Sequence, residues 1–312
     1  MIVALAGGVG GARLAVGLAA VLSPERLAVV VNTGDDFEHL GLTICPDLDT
    51  VMYTLAGVEN PQTGWGRADE TWSFMETLQR LGGEAWFRLG DRDLAVHVVR
   101  THALKSGEPL SEITRKLCRR LGIRHAIVPM SDDPVRTYVT TDQGELAFQD
   151  YFVRGKCAPA VTAFRFAGSE AARVPESLRA ILDSGAIEGV VVCPSNPFVS
   201  VAPMLAVKEI REWLAGRRFP VVAVSPIVAG QAVKGPAAKM MRELGLESDA
   251  AAIARHYGAL VDGWVIDRQD AGLAPEIRAS GKDVTTTDTL MTDRSRKIAL
   301  ARIVLDAAAR LA

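Results

Sequence analysis

The chain has 312 residues, 48% of them apolar, enough to fill the core of one large domain or of one domain carrying an insertion. A formal charge of −2 gives no electrostatic case for binding nucleic acid. Four scattered cysteines with no CxxC pair fit reduced thiols better than disulfides or a zinc site, and no apolar run has membrane-spanning length, so a cytoplasmic enzyme with no membrane partner is expected.

Ile2 to Ala6 is continuously apolar, as in a strand buried on both faces, and Gly7-Gly8-Val9-Gly10-Gly11 breaks it at once. Ala12 to Leu22 then reads as an Ala-rich helix with Arg13 near its start. Strand, glycine turn and helix together point main-chain N–H groups at an anion. Glycines such as Gly8, Gly10 and Gly11 let that chain approach a phosphate closely. The alternative is a tight turn whose glycines only permit close packing. The letters match neither the dinucleotide fingerprint, where Arg13 stands in place of the last glycine, nor a P-loop, which needs Gly-Lys-Ser/Thr.

Leu27 to Val31 is a second buried strand, ending in Asn32-Thr33-Gly34-Asp35-Asp36. In a doubly wound sheet the loops at strand C-termini face one crevice. Cys45-Pro46-Asp47-Leu48-Asp49-Thr50 leads into a further helix, so Asp47 or Asp49 taken alone reads as a cap. With Asp35 and Asp36, however, four carboxylates fall within fifteen residues. Crowded carboxylates repel unless a cation sits among them. A magnesium ion bridging them to a diphosphate therefore competes with a solvated acidic loop.

Gly57 to Gly66 reads as a loop, and Asp69 to about Leu121 as mainly helical. This interrupts the α/β alternation, so about residues 62–125 are expected to form a helical insertion capping the crevice within a single domain, 1–312. Inside it, Trp86-Phe87-Arg88-Leu89-Gly90-Asp91-Arg92-Asp93 reads as a helix start held by local ion pairs, or as Arg88 reaching a flat substrate ring. Ala126 to Pro129 is a strand. Val135–Thr141 and Glu145–Phe148 flank Asp142-Gln143-Gly144 as a β-hairpin, its second strand expected to continue from Gln149 to Arg154. Ala160 to Phe166 suggests an edge strand.

The last third resumes the alternation, with strands at Gly189–Cys193, Pro220–Val224 and Gly263–Asp267. Helices are expected at Leu178–Ser184, Met204–Leu214 and Arg294–Leu311. Ser195 and Asn196 offer a hydroxyl and an amide to sugar or phosphate oxygens, or are ordinary turn residues. Lys234-Gly235 precedes a helix start and suits an anion, unless Lys234 is simply a surface charge. The expected fold class is α/β: Rossmann-like and doubly wound, with a mainly parallel sheet, a largely helical insertion and a β-hairpin.

AGGVGGAR, NTGDD, CPDLDT, WFRLGDRD, QDYFVR, CPSNPFVS and VSPIVAGQAVKGPAAKMM, in that order, resemble the 2-phospho-L-lactate transferases over nearly the whole chain. The resemblance implies a magnesium-dependent, homodimeric transferase of coenzyme F-420 biosynthesis. It would move a phosphoacid group (lactyl, enolpyruvyl or phosphoglycerate-derived) from a diphosphoguanosine donor to the ribityl hydroxyl of the deazaflavin Fo, releasing GMP. On that resemblance the glycine loop and Asn32 meet the donor, and Asp35 and Asp49 hold magnesium. Asp49 also orients or deprotonates the hydroxyl, with Asp36 a second catalytic carboxylate and the reserve metal ligand. Asp49 and Arg88 fall at the deazaflavin site; Ser195, Asn196, Lys234 and Gly235 meet the guanosine diphosphate. The competing reading is a non-catalytic regulator of carbon metabolism that binds nucleotide sugars on the same type of fold. The PDLD and WFRLGDRD motifs favour the enzyme.

Overall fold

The computed structural model describes residues 1–312. Strand β1 (Ile2–Ala6) is buried along its whole length. Helix α1 (Gly8–Val21) follows, starting at Gly8 and not at Ala12, so the glycines form the helix's own first turn. β2 (Leu27–Val31) pairs parallel with β1, Ile2 opposite Leu27.

A long excursion comes next. It holds a small hairpin, β3 (Phe37–His39) and β4 (Leu42–Ile44), then α2 (Pro46–Ala56), α3 (Ser73–Arg80), α4 (Asp91–Lys105) and α5 (Leu110–Arg120). β5 (Ala126–Pro129) rejoins the sheet beside β2. β6 (Arg136–Thr141), β7 (Gly144–Ala147) and β8 (Val161–Ala167) make a separate antiparallel sheet. After α6 (Glu176–Leu182) come β9 (Gly189–Val192), α7 (Ala202–Ala206), α8 (Lys208–Ala215) and β10 (Val221–Val224). A short hairpin of β11 (Ile227–Val228) and β12 (Gln231–Ala232) leads to α9 (Ala237–Glu243) and α10 (Ala250–Tyr257). The chain closes with β13 (Gly263–Asp267), α11 (Ala274–Ala279), β14 (Asp283–Thr287) and α12 (Arg294–Leu311).

The main sheet has seven strands, ordered β14-β13-β10-β9-β1-β2-β5, all parallel. Its alternation divides the core in two: Val3 and Leu5 face one apolar cluster, Ile2, Ala4 and Ala6 the other. From β1 the chain moves outward to β2 and β5, then returns to β9 on the other edge of β1. The order therefore reverses between β1 and β9, and the loops leaving those strands bound a crevice.

Three local expectations change. Gln149 to Arg154 does not extend the hairpin but folds into a π-helical turn over Asp150–Arg154. Phe148 and Phe152 stack there with ring centroids 5.4 Å apart, a contact that helical spacing permits and extended spacing prevents. The helix expected over Met204–Leu214 breaks at Val207, whose ψ of 118° is extended. The WFRLGDRD stretch exchanges caps: Glu70 accepts the Arg92 and Asp93 amides at the start of α4, and Asp91 accepts those of Ser73 and Phe74 at the start of α3. No helix is long and apolar enough to cross a membrane.

Candidate functional site

A cleft with a cavity volume of about 350 Å³ opens where β1, β2, β9 and β10 end. Gly7 to Gly10, Asp35 and the Pro194–Asn196 loop line the sheet side. The excursion between β2 and β5 supplies Trp65, Phe87, Asp93 and His97.

The glycines divide their work. A Cβ on Gly10 would meet the Pro194 carbonyl oxygen at 2.2 Å, and one on Gly11 the Ser195 Oγ at 2.5 Å, so both let α1 press against the loop after β9. Gly8 has φ +62°, a left-handed conformation that glycine adopts without a Cβ penalty. The Gly7 amide donates to Ser195 Oγ at 3.0 Å and the Gly8 amide to Asp47 Oδ1 at 2.6 Å. Val9 and Gly10 face the cleft at the positive end of the helix.

Asn32 is fully buried and does not line the cleft. Its Nδ2 lies 2.9 Å from Asp47 Oδ2 and 3.2 Å from Asp35 Oδ1, so it positions those two carboxylates. Burial raises Asp35 well above the usual carboxylate range, and repulsion from Asp47, Asp36 and Asp49 adds to it. Burial also pushes Asp47 up to about 6, against hydrogen bonds from Asn32, Gly8 and Ser200. Asp36 sits off the cleft; burial pushes it up to about 7, opposed mainly by Arg136, and its Oδ1 has no partner.

Asp49 differs from its neighbours. Arg100, itself buried, grips both its oxygens, with Nη1 3.0 Å from Oδ2 and Nη2 on Oδ1. His97 Nδ1 lies 3.6 Å from Asp49 Oδ2, and His97 Nε2 lies 3.3 Å from Asp93 Oδ1. Tyr53 donates its hydroxyl to the same Asp93 oxygen at 2.6 Å. Burial pushes Asp93 up, but the bonds from His97 and Tyr53 outweigh it and hold the carboxyl below its ordinary value. Sequence reasoning missed Tyr53, His97 and Arg100. The signal was present: positions 93, 97 and 100 share one face of a helix.

One ligand atom each from Asp49, Asp93 and His97 lie within 4.8 Å of one another. Two of those groups are already committed, Asp49 to Arg100 and Asp93 to Tyr53. Asp35 and Asp47 line the cleft and belong to no ion pair, which makes them the oxygen donors most in need of a cation. Ser195, Asn196, Lys234 and Gly235 also line the cleft. Asn196 Oδ1 caps the following turn, accepting from the Phe198 amide at 2.9 Å. Arg88 does not line it: the side chain is exposed, its guanidinium carbon 4.3 Å from the centre of the Trp72 ring.

A doubly wound parallel sheet with a cleft at its switch point defines a Rossmann-like α/β protein. A UPF0052-family structure from Bacillus halodurans is similar in fold, with a TM-score of 0.63 at 12% identity, covering 97% of this chain and 98% of that one. The family model described as 2-phospho-L-lactate transferase CofD matches residues 2–304, and the chain belongs to that family. A relative from Streptomyces griseus subsp. griseus, named phosphoenolpyruvate transferase, is 46% identical over 98% of both chains. Proteins of the same name from Thermobifida fusca (41% identical, 99% of this chain and 98% of that one) and Mycobacterium ulcerans (39%, 97% of each) are also similar. The protein is thus an enzyme of coenzyme F420 biosynthesis that transfers a phosphoacid group between small-molecule substrates.

Proposed function

We propose that this enzyme moves the phosphoenolpyruvyl group of an enolpyruvyl-diphosphoguanosine donor to the ribityl hydroxyl of Fo, releasing GMP. The choice of acid follows the names of the relatives, which match along almost the entire chain. The observation that carries the reading is a shared opening: the N-terminus of α1, the Asp35–Asp47–Asp49 cluster and an aromatic wall all face one cleft.

A bond forms between the ribityl oxygen and the phosphorus bearing the acid, while that phosphorus parts from the bridging oxygen, which leaves with GMP. The hydroxyl proton departs as the new ester forms. Such a step needs alignment and neutralisation of charge on oxygen more than covalent help from the protein. In this reading the Val9 and Gly10 amides receive the diphosphate, with Lys234 and Ser195 beside it. Asp35 and Asp47 would supply carboxylate oxygens to magnesium, with Asp49 beside them through the lone pairs Arg100 leaves free; the ion would offset the charge of the diphosphate. Asp49, its orientation fixed by Arg100, orients the incoming hydroxyl. Phe87, Phe148, Phe152 and Trp65 provide flat apolar area for the deazaflavin ring. Asp36, off the cleft, is assigned no substrate contact. A homodimer completes the reading and is checked by light scattering.

The test is incubation with Fo and each of the three guanylated acids, with the products weighed by mass spectrometry. The expected result is an enolpyruvyl-phospho-Fo product and GMP, formed only with magnesium. Failure with all three acids, together with selective binding of UDP-sugars, would support the regulator in its place.

A further inference from the structure

Arg13 lines the cleft but takes part in no hydrogen bond or ion pair, although Asp35, Asp47, Asp49 and Asp93 line the same cavity. None of those carboxylates comes within ion-pairing distance of the Arg13 guanidinium, so its donors are left for a bound anion. Arg13 sits three and four residues beyond Gly10 and Val9 on α1, hence on the same helix face. Helical side chains lean towards the N-terminus, so the Arg13 fork reaches back along that face towards the Val9 and Gly10 amides. Its Cα is displaced from theirs by about 4.5–6 Å of helix rise.

A phosphoacid donor presents two anions of different shape. The diphosphate suits the helix N-terminus and Lys234. In the enolpyruvyl donor the carboxylate stands close by, separated from the transferable phosphorus by only an ester oxygen and one carbon. A planar carboxylate matches the two-pronged face of a guanidinium better than it matches separate amides. We infer that Arg13 binds the carboxylate of the donor's acid and so selects a carboxylate-bearing phosphoester over bare guanosine diphosphate. The inference rests on the transferase reading of this cleft. It adds a specificity residue for the acid's carboxylate, a group that bare guanosine diphosphate lacks.

The experiment compares the intact wild-type protein with Arg13→Gln and Arg13→Lys. Calorimetry gives the affinity for GDP and for enolpyruvyl-diphosphoguanosine, and steady-state assays with Fo give KM and kcat. Thermal melts accompany both variants, and Arg13→Lys retains the charge should Arg13→Gln fold poorly. The wild type should bind the donor more tightly than GDP. Arg13→Gln should weaken donor binding and raise its KM about tenfold or more, leaving GDP affinity within twofold, and Arg13→Lys should fall between. Equal weakening of GDP and donor would overturn the inference by assigning Arg13 to the diphosphate. So would unchanged donor binding in both variants. Failure of the underlying reading is distinguishable, because the wild type itself would then form no product and would not discriminate donor from GDP.

Discussion

Arg100 and Asp49 form a buried two-pronged ion pair that joins α4 to the first turn of α2, beside the cleft. Asp49 is therefore both a wall of the site and an anchor of the fold. Removing one member of such a pair leaves the other charge buried and uncompensated, at a cost of about 3–5 kcal/mol. Arg100→Met is expected to lose about that much stability in urea unfolding, and Asp49→Asn to move in the same direction. Asp49→Asn should also cut turnover about 10²–10³-fold at saturating magnesium. In the double variant Asp49→Asn/Arg100→Met part of the stability should return, because no lone charge remains, while turnover stays low. Turnover restored along with stability would show that Asp49 acts only as an anchor.

Asp36 and Asp47, pushed up to about 7 and about 6, bind protons more tightly in the metal-free fold than the ordinary aspartate value of 3.8 allows. The folded state then holds more protons than the unfolded one between roughly pH 4 and 7, so stability falls as pH rises through that window. The metal-free protein should melt at a lower temperature at about pH 8 than at about pH 5, and magnesium should shrink the difference. A metal-free melting temperature that climbs across this range would contradict the crowded-carboxylate account.

Much of the sheet was legible because its strands are short aliphatic runs bounded by glycine, proline or polar turns, as in Ile2–Ala6 and Gly189–Val192. β14 was not, because Asp-Val-Thr-Thr-Thr at a sheet edge carries too little apolar signal. α10 was hidden by its length, although Asp249 caps it by accepting from the Ala252 amide. The acidic turns could be read as one group because their loops leave adjacent parts of the chain. The pairing of Asp49 with Arg100 spans fifty-one positions and depends on how α4 docks, which no local pattern encodes. Gln149–Arg154 was misread because its Tyr-Phe-Val run has the aromatic and β-branched composition of a strand, whereas the stacking of Phe148 on Phe152 selects a helical turn.

Gly10 is expected to matter through packing before ligand binding. Because its Cβ position collides with the Pro194 carbonyl, Gly10→Ala must push α1 away from the loop after β9. A stability loss of about 1–3 kcal/mol is expected, accompanied by weaker GDP binding. Thermal melts with and without GDP check this; an unaltered melting temperature would mean that α1 does not press on that loop.

Arg88 separates the structural placement from the resemblance. With its guanidinium stacked on Trp72 outside the cleft, Arg88→Ala should leave the KM for Fo within about twofold and cost only the exposed cation–π contact, about 0.5–1 kcal/mol. A rise of tenfold or more in that KM would bring Arg88 to the deazaflavin after all.

The most direct test of the account is a crystal structure grown with GDP and manganese in place of magnesium, using anomalous scattering to locate the metal. The expected result is a pyrophosphate within hydrogen-bonding distance of the Val9 and Gly10 amides, with an anomalous peak between it and Asp35. A nucleotide bound away from the start of α1, or a metal peak remote from Asp35, Asp47 and Asp49, would contradict it.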